Sequence, residues 1–224
     1  MSSPAIFPPA VRHHLSPDAF ADARRVVFEQ VRVFSVGPDY VVPRLTGVSP
    51  EVRDGTPEHS RLDCEYYDTE GSDLTADGVA LRWEAQPQEW TAVLPAKSVT
   101  GESIRCEASY AGTAGVVPDP VYRLLHLYLD GRGLGYAARV VSRRLTRPLT
   151  RRTGIRLAEV IDENVEATRS DGAQRQYRNI SVEVRDLDGL GRKLIADVCD
   201  RLLRSGCNIE APPAQLARGI VQAG

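Results

Sequence analysis

The chain has 224 residues, 42% of them hydrophobic and 26% charged, with a formal net charge of −2. That is enough for one sizeable domain or two small ones of ordinary globular composition. The near-neutral balance excludes a global attraction to nucleic acid or anionic lipid, so an anion site has to be local; the absence of any run of 18 apolar residues excludes a membrane-spanning helix.

Residues 1–16 are rich in Pro and Ser and read as a loose arm; Met1 to Pro9 lack the basic start and apolar core of a signal peptide. Ser16-Pro17-Asp18 is a helix start, which predicts a short helix over 17–24. From Val26 to Val36 β-branched residues alternate at period two, the mark of a strand. A polar loop follows over 43–60. Strands are then expected near 62–68, 79–85, 89–94 and 103–109, separated by turn residues such as Gly71, Asp77-Gly78 and Gly101. Val121, Leu124, Leu125 and Tyr128 share one helical face behind Pro118 and Pro120, and Gly131 ends that pattern. Strands resume near 136–146, 156–168 and 177–187. A last helix is expected from Asp188 to Ser205, with Leu190, Leu194, Ile195, Val198, Leu202 and Leu203 on its period and Gly206 as its stop. Many strands and few helices point to a closed or nearly closed antiparallel sheet. Residues 17–211 are read as one domain and 212–224 as a tail.

Cys64, Cys106, Cys199 and Cys207 are far apart in the chain without C-x-x-C spacing, as expected of reduced thiols in a cytoplasmic protein. His13, His14, His59 and His126 make no ligand pattern with them, so no zinc site is expected. Arg143, Arg144, Arg147, Arg151 and Arg152 form a basic stretch with no interleaved aromatics, read as a solvated face rather than a nucleic-acid site.

The segment Tyr66-Tyr67-Asp68-Thr69, followed by Leu74, Gly78 and Leu81-Arg82, resembles the "Y-Y-D-T … L … G … L-R" of the CYTH family, also called triphosphate tunnel metalloenzymes. Further matches are Gly131-Arg132-Gly133-Leu134, Ala138-Arg139, Arg143-Arg144, Leu157-Ala158-Glu159-Val160 and Ile161-Asp162-Glu163. These are most similar to CYTH domains that precede CHAD domains, and the likeness covers residues 26–206. It implies an α+β fold, an eight-stranded antiparallel β-tunnel with flanking helices. It also implies a lumen lined with Arg, Lys and Glu that holds a triphosphate and a divalent metal. Such a ligand needs convergent cations in a low-dielectric site, and hydrolysis needs carboxylates for Mg²⁺ or Mn²⁺. A CHAD domain or another protein is the partner it suggests, and the chain either stands alone or is part of something longer.

By that resemblance Arg82, Arg105 and Arg143 are the expected phosphate ligands. Glu29, Glu107, Glu159, Asp162 and Glu183 are the expected metal ligands. The first-strand "E-x-E-x-K" reads Glu29-Gln30-Val31-Arg32-Val33, the "W-T-L-K-L-P" lysine is Val93, and the last "E-x-E-x-E" is Asn179-Ile180-Ser181-Val182-Glu183. Glu84 stands where a second arginine is usual. Val31, Val33, Glu84, Val93 and Ser181 are therefore expected to line the tunnel as neutral or sign-reversed positions, and no residue is singled out as catalytic. Two function classes stay open. One is a tunnel that binds a phosphorylated or mixed-polarity small molecule with degenerate triphosphatase motifs and no cofactor. The other is a Mg- or Mn-dependent (tri)phosphate hydrolase or nucleotide cyclase. The retained arginines also have a plain alternative, pairing with Glu84, Glu107 and Glu183 inside the barrel.

Overall fold

The alternation read from the sequence becomes one antiparallel sheet in the computed structural model, which describes residues 11–12, 17–98, 103–185 and 189–209. Its strands are β1 (Val11–Arg12), β2 (Arg25–Ser35), β3 (Val52–Asp54), β4 (Glu58–Asp68), β5 (Ala80–Glu84) and β6 (Glu89–Ser98). They continue with β7 (Ser103–Ala111), β8 (Gly135–Arg151), β9 (Arg156–Arg169), β10 (Gln174–Val184) and β11 (Asn208–Ile209). The helices are α1 (Asp73–Ala76), α2 (Asp119–Leu129) and α3 (Gly189–Arg204). Pairing runs β2-β7-β6-β5-β4-β8-β9-β10 and returns to β2, so eight strands close into a barrel with no free edge between them. This is the expected α+β tunnel architecture, with three helices outside it.

The helix expected over 17–24 is only a 3₁₀ turn, Pro17–Phe20. The chain leaves it at once for the sheet, where Arg24 N donates to Ser109 O at 2.7 Å. The strand expected over 136–146 runs on to Arg151 because β3, unforeseen in the loop over 43–60, pairs with its far end. The arm over 1–16 and the tail over 212–224 lie outside the described residues, except that Val11–Arg12 pair with Ser98 and Lys97 of β6. Asp188 and Gly101 lie outside them too.

The two large apolar clusters sit around the barrel, not in it. On one side, the outward faces of β5, β6 and β7, with Leu81, Trp90, Ala92, Leu94, Ile104 and Ala108, pack against Val121, Leu124, Leu125 and Leu129 of α2. On the other side, Ile180, Val182 and Val184 of β10 and Val160 of β9 lie in the core with Leu194, Val198 and Leu202 of α3, which are at most 1% exposed. Strands such as β2 are thus covered on both faces and bury Glu29 to Val31 without interruption. The turn after α1 needs Asp77-Gly78 because Gly78 has φ 77°. Among the described residues no helix is long and apolar enough to cross a membrane.

The Asp68 turn is built inside this frame. Asp68, 3% exposed, accepts hydrogen bonds from the backbone N–H of Thr69, Leu74 and Thr75 and from the Thr75 hydroxyl at 2.6 Å. The aspartate of Tyr-Tyr-Asp-Thr thus holds the start of α1 against the end of β4.

Candidate functional site in the barrel lumen

Because side chains alternate along strands, the register fixes which residues share the lumen. Glu29 stands opposite Arg105, and Glu107 opposite Val27 and Val93. Arg82 stands opposite Tyr66 and Thr91, Glu84 opposite Cys64, and Glu183 opposite Val31 and Glu159. Followed around the ring, this face also takes in Val33, Ser181, Asn179, Glu163, Arg144 and Ser142. One contiguous lumen surface results.

At its centre the charges satisfy one another. Arg105 Nη2 lies 2.6 Å from Glu29 Oε2 and 3.0 Å from Glu183 Oε1, and its Nε is 3.2 Å from Glu107 Oε1. Arg82 Nε donates to Glu84 Oε1 at 2.9 Å, and its Nη2 is 3.5 Å from Glu107 Oε2. Thr91 Oγ1 donates to Glu84 at 3.0 Å, and Arg185 Nε donates to the second oxygen of Glu29 at 2.8 Å. A continuous chain of ion pairs therefore runs Glu84, Arg82, Glu107, Arg105, Glu29, Arg185.

Burial disfavours charge on Arg82 and Arg105, but the facing carboxylates outweigh it, and both guanidiniums are held well above their ordinary range. Burial likewise raises Glu107, yet Arg82 and Arg105 prevail and bring it down to about 2. Glu183 goes the other way: burial, with Glu29 and Glu107 close by, outweighs Arg105 and raises it. Three carboxylates around one guanidinium leave negative charge in excess, and that excess favours the protonated form of Glu183. Beside it, a cavity of about 50 Å³ is lined by Arg156, Leu157, Ala158, Glu159, Glu183 and Arg185.

Two expected site residues are not in the lumen. Arg143 faces outward, its side chain 69% exposed and 3.6 Å from Glu166. The narrow interior takes the small alternate residues Ala138, Val140 and Ser142, and the next residue on that face is Arg144. Arg144 Nε donates to Glu163 Oε1 at 2.6 Å, and Glu163 holds the arginine above its ordinary range against the effect of burial. Asp162 also faces outward, where Arg178 clasps both its oxygens at 2.9 and 2.8 Å. Glu163 has the lumen place that had been expected for Asp162.

The remaining expected residues are on the lumen face. Glu29, Glu107 and Glu183 converge on Arg105, while Glu159 is drawn to Arg156 at 2.9 Å. Val31 and Val33 are each 4% exposed, Val93 is half-buried, and Ser181 Oγ is 3.5 Å from Glu183. Arg144, Glu163 and Arg185 were not anticipated. The signal for the first was the run of small residues at 138, 140 and 142, which marks the inner face of a narrow barrel.

These carboxylates do not fit a divalent cation as they stand. A hard cation needs free oxygen ligands, and both oxygens of Glu29 and of Glu107 are engaged by arginines. Among the described residues no group of three or more His, Cys, Asp or Glu is placed to hold a metal ion.

No family model matches the chain. Two uncharacterized proteins of Mycobacterium tuberculosis, from strains CDC 1551 and H37Rv, are each 26% identical to it over 204 residues, covering 85% of the chain. The chain spans 39% of the length of these relatives. Among solved structures, a candidate adenylate cyclase from Bacillus halodurans aligns over 86% of this chain and 97% of its own, with TM-score 0.54 and 12% identity. That is a likeness of fold. A candidate adenylyl cyclase from Hippeastrum with a dominant triphosphatase activity aligns over 88% and 97% with TM-score 0.41 and 14% identity.

Proposed function

We propose that the barrel binds a phosphorylated or mixed-polarity small molecule in its lumen, and that the machinery for metal-dependent triphosphate hydrolysis is degenerate. The observation that supports this is the pair of buried, permanently cationic guanidiniums, Arg82 and Arg105, beside the apolar wall of Val31 and Val33. Phosphate oxygens are suited to replace carboxylates on a planar guanidinium fork, since both accept paired N–H donors in the same geometry. The valines add apolar contact of the kind that small-molecule sites use to hold the uncharged part of a ligand. The carboxylates keep the arginines oriented and ionised until the ligand arrives.

A second reading is a metal-dependent hydrolase or nucleotide cyclase. It is supported by the shared lumen face of Glu29, Glu107, Glu159 and Glu183 and by the fold likeness to a candidate adenylate cyclase. Calorimetric titration with tripolyphosphate, with and without Mg²⁺ or Mn²⁺, combined with a phosphate-release assay, separates the two. Saturable binding with little or no turnover is expected. Robust metal-dependent turnover would give the second reading the chain, and absence of binding under all conditions would remove the first.

A further inference from the structure

Apart from Arg105 Nε, which lies at ion-pair distance from Glu107, two buried polar atoms on the lumen face have no hydrogen-bond partner among the described residues: Ser142 Oγ and Asn179 Oδ1. Ser142 is 1% exposed and Asn179 2%. Buried polar groups in folded proteins are nearly always paired, so each such orphan calls for an explanation. Both lie on one part of the ring. Ser142 stands opposite Val165, Val165 opposite Tyr177, and Asn179 is two residues beyond Tyr177 on the same face.

Their surroundings differ from the arginine–carboxylate chain. Ala138, Val140, Val165 and Ala167 form a separate apolar cluster within the lumen, and Tyr66 and Tyr177 pack against it. The Arg144–Glu163 pair borders this region, with Arg144 two residues from Ser142 and Glu163 directly opposite Asn179. The lumen thus has a charged part and an apolar part, and the second contains two unsatisfied, uncharged polar groups. An amide oxygen accepts only; a serine hydroxyl donates or accepts. Neither recognises an anion by charge.

We propose that Ser142 and Asn179 form an uncharged polar subsite for the non-anionic end of the ligand, an organic head with hydrogen-bond donors on an apolar or aromatic body. This rests on the reading that the anionic end lies at Arg82 and Arg105. It makes the ligand an organic phosphate rather than an inorganic polyphosphate. Asn179 Oδ1 accepts an N–H or O–H of the head, Ser142 Oγ makes the second bond, and the alanines and valines enclose its body. A site built to hydrogen-bond its ligand discriminates strongly against analogues that lack the partner group.

The test uses two probes that share a triphosphate and differ in the head, ATP and tripolyphosphate. They are titrated into the wild type, Ser142→Ala and Asn179→Leu, and thermal unfolding of each protein is followed without ligand. Each substitution should weaken ATP binding about tenfold and leave tripolyphosphate binding unchanged. The unliganded variants should be as stable as the wild type or more so, since a reserved, unpaired polar atom contributes nothing to the empty fold. Lower melting temperatures in both variants would show that these atoms are satisfied structurally, by water, and would overturn the subsite. Equal loss or equal retention of both probes would overturn it as well. A wild type that binds neither probe would instead remove the phosphate-binding reading, and this subsite with it.

Discussion

Arg105 and Glu29 stand directly opposite one another across β7 and β2 and close to 2.6 Å, which places a fixed positive charge at the centre of the barrel's acidic cluster. The same guanidinium serves Glu107 and Glu183, so one arginine neutralises carboxylates from three strands. A side-chain cation stands in the middle of the oxygens that a metal would need.

Arg105→Met should leave Glu29, Glu107 and Glu183 together without their shared counter-charge. Removing one member of a buried charge network typically costs about 3–5 kcal/mol, and urea unfolding at neutral pH should show a loss of that order. The bared carboxylates should then attract a divalent cation, so millimolar Mn²⁺ should restore part of the lost stability in the variant and have little effect on the wild type. Equal Mn²⁺ responses in the two proteins would show that Arg105 does not block a cation site.

The two perturbed carboxyls predict opposite pH effects. Glu107 is depressed from 4.5 to about 2, so its contribution is present above pH 4.5 and lost as pH falls through about 2; a shift of this size corresponds to on the order of 3 kcal/mol. Glu183 is raised, so its contribution is complete below the ordinary carboxyl range and lost as pH climbs through its folded value. Urea unfolding from pH 2 to 8 should therefore give Glu107→Gln a shallower acid limb than the wild type. The stability of Glu183→Gln relative to the wild type should be constant at low pH and improve as pH rises from the ordinary carboxyl range through the folded value of Glu183. A pH-independent offset for both variants would refute the assignments.

The lumen register is tested by two adjacent arginines. Arg143→Ala should change stability by no more than about 0.5 kcal/mol, as is usual for an exposed residue with a loose ion pair. Arg144→Ala leaves Glu163 part-buried and unpaired and should cost about 1–3 kcal/mol. Reversed magnitudes would mean that β8 presents its other face to the lumen.

Asp68→Ala should be among the most damaging single changes outside the lumen, because four donors converge on that carboxylate. Orphaning buried donors costs about 1–3 kcal/mol each at most, with partial relaxation expected. A loss of about 3 kcal/mol with unchanged ligand affinity per folded molecule would mark Asp68 as a scaffold residue. A stable variant with lost binding would place it in the ligand site instead.

The fold was legible because period-two alternation and turn residues survive in nearly every strand, and because α3 displays Leu194, Val198 and Leu202 at helical spacing. The lumen was legible on β2, β5, β6, β7 and β10, where a charged or valine position is flanked by apolar outward neighbours such as Phe28, Leu81, Leu94 and Cys106. It was missed on β8, where Arg143 and Arg144 are adjacent, the charge of the two does not choose between them, and only the small residues at 138, 140 and 142 mark the inner face. The choice lies with the pairing of Arg144 to Glu163 across β9, a long-range contact. The same error moved Asp162 inward in place of Glu163. Short β3 was hidden for another reason: three residues in a polar loop carry no period, and their strand character comes from the end of β8 beside them.

Tripolyphosphate turnover should be weak or absent in the unmodified protein. Val31 faces Glu183, and Val93 faces Glu107, so at both places an apolar side chain lies beside the charged network. Losing even one preorganised charge-stabilising group commonly lowers a rate by on the order of 10²–10³. The combined replacement Val31→Glu, Val33→Lys and Val93→Lys adds one carboxylate and two ammonium groups to the lumen face. The two added lysines outnumber the one added carboxylate, so triphosphate affinity should rise about tenfold by calorimetry, with the gain shrinking as salt is raised. Unchanged affinity in a folded triple variant would show that these three positions do not face the bound anion. Efficient metal-dependent hydrolysis by the wild type would show that Arg105 releases its carboxylates when substrate and metal arrive together.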